Sequence, residues 1–110
     1  METRSHPFDS GPEAALVAAN RLHANGDTEE QVSEELSVLI DAFATLPGFC
    51  RARVGRCLDE PDVWILLTEW ESVGTYRRAL SSYAVKTSGY PVFVRIVDEP
   101  GAYEVLLSSD

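Results

Sequence analysis

The chain has 110 residues, 45% hydrophobic and 25% charged, which suits one globular domain and excludes a disordered chain. Its formal charge is -9, from 18 acidic and 9 basic residues. A field of that sign repels phosphate backbones and anionic lipid heads, so neither nucleic acid nor a membrane surface is an expected partner.

Residues 1–13, with Pro7, Gly11 and Pro12 and no periodicity, read as a flexible tail ahead of a domain over 14–110. This opening lacks the apolar middle of a secretion signal, and no apolar run approaches the roughly 20 residues of a membrane span, so a cytoplasmic location is expected. The stretch ALVAANRLHA, 15–24, predicts a first strand. Leu16, Ala18, Asn20 and Leu22 share one face of it, and Val17, Ala19, Arg21 and His23 the other. The turn NGD at 25–27 leads into a helix that Asp27 can cap, with Glu30 reaching back. Val32, Leu36, Leu39, Ile40 and Phe43 then form one apolar stripe, and the helix should stop before Pro47.

GFCRARVGRCL, 48–58, predicts a second strand with Cys50, Ala52, Val54 and Leu58 on one face and Phe49, Arg51, Arg53, Gly55 and Cys57 on the other. Cys50 and Cys57, seven apart, point to opposite faces and cannot pair within the strand. The turn DEPD, 59–62, returns the chain as a hairpin into the third strand. Ser72 caps a second helix carrying Val73, Tyr76, Leu80 and Tyr83 at helical spacing. Beyond Gly89 and Pro91, VFVRIVDEP fits an edge strand or a short helix started by Pro91, and the helix is preferred. AYEVLLS, 102–108, predicts the last strand.

The order β-α-β-β-α-(α)-β predicts an α+β fold with an antiparallel four-stranded sheet and helices on one face. The third strand, DVWILLTEW, conflicts with a bare second face. Val63, Ile65 and Leu67 point one way while Trp64, Leu66, Thr68 and Trp70 point the other. Leaving either set in water forgoes about 1.5–3 kcal/mol for each large side chain. This chain has no spare element to cover the second face; a second copy of the sheet would do it, so a homodimer is expected.

Three segments, ANRLHA in the first strand, LPGF leaving the first helix and TEWES leading into the second, make the chain resemble the antibiotic biosynthesis monooxygenase family. The resemblance spans roughly residues 14–108. It implies a ferredoxin-like fold in which two subunits pack sheet against sheet as a dimeric α+β barrel. It also implies a small hydrophobic or aromatic substrate held between sheet and helices, oxidised by O2 without flavin, nicotinamide, metal or other cofactor. In quinone-forming members acting on anthrone-type polyketides, a Trp and a Tyr line the pocket at a spacing that Trp70 and Tyr76 match. The resemblance thus points to Trp70 and Tyr76 as catalytic and to Asn20, Trp64, Leu66, Arg78 and Tyr83 as substrate-binding. Tyr76 or Tyr83 would donate to the substrate anion, and Asn20 or Arg78 would hold it. Leu66 stands where those members carry a polar amide, a departure that bears on catalysis.

Other roles suit the same residues. The tryptophans also fit core or subunit interface, the tyrosines fit a helix stripe, and Asn20 fits a structural bridge. His6 and His23 form no metal-ligand pattern. Haem-degrading monooxygenases of the same superfamily need a helix-two Trp and an axial His at positions that hold Ala79 and Gly89 here. A non-catalytic or cyclase-type barrel that binds a polyketide intermediate is the remaining alternative.

Overall fold

The strand that is apolar on both faces lies inside the sheet. The computed structural model describes residues 13–109. In chain order they form β1 (Leu16–His23), α1 (Glu29–Ala44), β2 (Phe49–Arg56), β3 (Val63–Trp70), α2 (Val73–Ser81), α3 (Tyr83–Phe93) and β4 (Ala102–Glu104). The sheet order is β2-β3-β1-β4 with every neighbouring pair antiparallel, a ferredoxin-like arrangement with three helices. The expected α+β class and one-sided helical layer are thus observed. The tail expected over 1–13 falls outside the described residues except for Glu13.

Alternation decides which side is dry. Leu16, Ala18 and Leu22 of β1 and Trp64, Leu66, Thr68 and Trp70 of β3 are buried against Val32, Leu36, Leu39 and Phe43 of α1 and Val85 and Val92 of α3. On the opposite, open face Val17, Ala19, Ile65 and Leu67 are only partly buried. Ion pairs of Arg21 with Glu99, His23 with Asp62 and Arg51 with Glu69 frame that apolar strip.

Several local expectations are corrected. Thr28, not Asp27, caps α1, its side chain accepting a hydrogen bond from the Gln31 N–H. Asp27 is instead engaged by Arg95 at 2.7 Å. In β2 the register shifts between Phe49 and Arg51, a bulge that leaves Cys50 unpaired and puts Phe49 opposite Trp70. Phe49 therefore packs on the helix side, away from the mixed face where simple alternation placed it.

The second helix does not run on to Tyr83. Ser82 adopts an extended ψ of 145°, ends α2 and caps α3 by accepting from the Val85 N–H. Pro91 does not start a helix; it lies inside α3, whose buried positions Val85, Gly89 and Val92 recur at helical spacing. The chain then runs along the β1 edge, where Val97 N–H donates to the Arg21 carbonyl and His23 N–H to that of Arg95. The last strand is only three residues long, although the Val105 N–H still donates to the Ala15 carbonyl.

Candidate active site

The site begins with a glycine. Gly48 takes φ +86°, a conformation that disfavours L side chains, and a Cβ there would collide with the Thr75 side chain. Its carbonyl accepts from the Glu71 N–H. This close approach fixes the start of β2 beside the start of α2. The first turn of α2 is held by a capping box, with Ser72 Oγ accepting from the Thr75 N–H and Thr75 Oγ1 from the Ser72 N–H. Tyr76 follows at once, over the end of β3.

Four rings meet there. The Trp70 indole lies edge-on to Phe43 at 5.2 Å and to Phe49 at 5.3 Å, and tilted against Tyr76 at 5.8 Å. Trp70 has no solvent exposure, and its Nε1–H donates to Thr68 Oγ1 at 3.0 Å. Tyr76 is partly buried. Burial pushes its phenol pKa above the usual value, because the phenolate would lose hydration. Among the described residues none takes a hydrogen bond from the Tyr76 hydroxyl.

The structure therefore brings Trp70 and Tyr76 together and leaves the other candidates apart. Trp64 is six residues along a strand that rises about 3.3 Å per residue, roughly 20 Å away. It is buried opposite Leu22, with the Arg56 guanidinium 5.9 Å from its ring centre. Asn20 and Leu66 face each other between the tryptophans, two residues from Trp64 and four from Trp70. Leu66 is core, whereas Asn20 is partly buried, and its amide would meet a Cβ on Gly101 at 2.5 Å. Arg78 lies on α2 two residues past Tyr76, about 200° around the helix, and is exposed. Tyr83, first residue of α3, is 83% exposed and touches none of these rings.

Sequence reasoning missed three contributors. Phe43 was legible as part of the α1 stripe but not as a wall of this cluster, and Phe49 was hidden by the bulge. Arg95 gave no signal at all. Its buried guanidinium donates to Glu35 at 2.8 Å, to Asp27 at 2.7 Å and to the carbonyls of His23 and Ala24. It closes the Trp64 end and holds the Glu35 carboxyl below the usual carboxylate range. A shallow groove of about 450 Å³ lies elsewhere, between Glu13–Ala15 and Val105–Ser108. Among the described residues no three His, Cys, Asp or Glu side chains are grouped as metal ligands, and no helix is long and apolar enough to cross a membrane.

Solved structures share this architecture. SnoaB, a cofactor-independent oxygenase from Streptomyces nogalater, superposes with a TM-score of 0.75 at 19% identity, over 87% of this chain and 97% of its own. A conserved protein from Methanosarcina mazei Go1 gives 0.68 at 17% identity, over 83% and 92%. At these identities the likeness is one of fold. Comparison with curated proteins finds no match. The sequence itself goes further than the superpositions, since residues 15–88, from β1 into α3, match the family model described as antibiotic biosynthesis monooxygenase. With the segments around Asn20, Gly48 and Trp70 all inside that match, the chain belongs to the antibiotic biosynthesis monooxygenase family.

Proposed function

We propose that this chain is a cofactor-independent monooxygenase that converts an anthrone- or phenol-like polyketide substrate to a quinone with O2, as a cytoplasmic homodimer. The observation that carries this reading is the Trp70–Tyr76 pair, an indole packed against a phenol whose hydroxyl is uncommitted. Its raised pKa keeps Tyr76 protonated at neutral pH, so it acts as a donor to an anion and not as a base. The rings of Phe49 and Tyr76 offer a flat substrate an apolar wall, with Trp70 positioning Tyr76 from below. The Asn20 amide, which has no hydrogen-bonded partner among the described residues, lies opposite Leu66, four residues along β3 from Trp70, and would hold the far end of the substrate.

The reaction balances without a cofactor. The substrate methylene loses a proton to water, and the resulting carbanion gives an electron to O2. The radical pair joins as a peroxide anion, which takes back a proton from water to become a hydroperoxide. Loss of the second C–H proton then breaks the O–O bond and expels hydroxide, which is protonated to water. The sum is CH2 plus O2 giving C=O plus H2O. The protein contributes the Tyr76 hydroxyl as a donor to the developing oxyanion.

The open sheet face supports the dimer, because pairing two copies covers Val17, Ala19, Ile65 and Leu67. The test is oxygen uptake with a model anthrone in metal-free buffer. Trp70→Phe and Tyr76→Phe should each slow uptake while sedimentation shows an unchanged dimer; full activity in both would place the site elsewhere. Complete burial of Trp70 among three other rings favours a second reading, a barrel that binds the polyketide without oxidising it. Saturable anthrone binding with no oxygen consumed would select that reading.

A further inference from the structure

Charge is divided unevenly along this chain. Residues 72–97, which span α2 and α3, contain no Asp or Glu and hold four cations, Arg77, Arg78, Lys86 and Arg95. All 18 acidic residues lie elsewhere, with the other five basic ones. Arg95 is buried among its partners, but Arg77, Arg78 and Lys86 are exposed and form no ion pair among the described residues. On α1, exposed Glu30, Glu34 and Asp41 are equally unpaired. Surfaces normally intersperse the two signs. Here three free anions and three free cations stand on neighbouring helices that do not exchange them.

Helix geometry sets both groups facing outward. At 100° per residue, Glu30, Glu34 and Asp41 fall opposite the buried Val32, Leu36 and Leu39. Tyr83, Tyr90 and Val94 likewise fall opposite Val85, Gly89 and Val92, with Lys86 about 90° to one side. The acidic stripe has exposed Val38 at its margin, and the α3 stripe exposes Tyr90 at 66% and Val94 at 61%. Both stripes run over twelve residues, about 16 Å at the helical rise.

We propose that a second copy of this chain docks on the helical layer, α1 of each copy against α2–α3 of the other. A two-fold axis lying in the interface along the α1–α3 seam makes this contact isologous, so each copy's acidic stripe meets the acid-free α2–α3 layer of the other, which carries Arg77, Arg78 and Lys86. Tyr83, Tyr90 and Val94 are covered in the same step. A phosphate surface broad enough to engage α2–α3 would press on the carboxylates of α1, whereas the second copy answers both signs at once. The contact is independent of the sheet pairing and of the proposed oxidation, because it uses the opposite side of the molecule.

Sedimentation of the full chain tests it through a ratio of masses, whatever unit the sheet face forms. Between about 0.01 M and about 1 M salt the Debye length falls from about 30 Å to about 3 Å. The wild-type mass at low salt should be twice that at high salt. The pair Arg77→Glu/Lys86→Glu and the pair Glu34→Lys/Asp41→Lys should each stay at the smaller mass at low salt, with unchanged circular dichroism. An equimolar mixture of the two variants should regain the doubled mass, since each then offers what the other lacks. A wild-type mass that is the same at both salts, a doubled mass retained by either variant alone, or a mixture that stays small would each overturn the proposal.

Discussion

Two tryptophans lie on the same face of the same strand, and their surroundings could hardly differ more. At one end of β3, Trp70 is enclosed by Phe43, Phe49 and Tyr76, and its indole N–H donates to Thr68. At the other, Trp64 lies under Arg56, which pairs with Glu29, while Arg95, Glu35 and Asp27 close the layer nearby. One end is held by shape and dispersion, the other by charge. The aromatic end leaves a phenol uncommitted. A charged end, with its groups satisfied, has nothing left to offer a guest.

The contrast can be broken at either end. Trp70→Ala should have the largest effect, about 3–5 kcal/mol of lost stability in denaturant unfolding, because neighbouring rings refill such a cavity only partly. Its loss should not vary with pH, since the cluster contains no group that ionises in the acid range. Arg95→Leu should come next, costing about 3 kcal/mol. It strands Glu35, whose side chain is only 14% exposed, although half-exposed Asp27 recovers water.

The ionic end should also announce itself in acid. The folded-state pKa of Glu35 is depressed below 4.5, chiefly by its hydrogen bond from Arg95. That stabilisation is fully present above the unfolded-state value and is lost as pH falls through the lower folded value. The stability gap between Glu35→Gln and the native chain should therefore begin to narrow as pH falls past the ordinary glutamate value, about 4.3, and close below the lower folded-state value. A constant gap would show that Glu35 is not linked to folding in this way. Arg56→Ala should have the smallest effect, about 0.5–1 kcal/mol, because both its ion pair and its contact with Trp64 are partly in water.

The architecture was legible because it depends on period. Val32, Leu36, Leu39 and Phe43 repeat as a helix must, and Val63–Trp70 is too apolar to be an edge, so α1 and a covered inner strand follow from pattern alone. The contact of Trp70 with Tyr76 was half legible. Six residues separate them across the Ser72 cap, which sets the helix start, but the approach also needs Gly48 and Thr75 in contact, a pairing 27 positions apart. The same limit applies to Tyr83, where one extended residue at Ser82 turned an apparent helix stripe outward.

By itself the sequence determined the element order, the antiparallel sheet, the buried stripe of α1 and the family, because each is written in local spacing or short segments. Only the tertiary structure decided which aromatic groups touch, that the two tryptophans occupy separate ends, and that Arg95 spends its charge inside the protein. Those outcomes depend on a bulge at Cys50, a break at Ser82 and side chains meeting from distant segments. Periodicity carries no record of such meetings, since it reports which face a residue occupies and not what stands across from it.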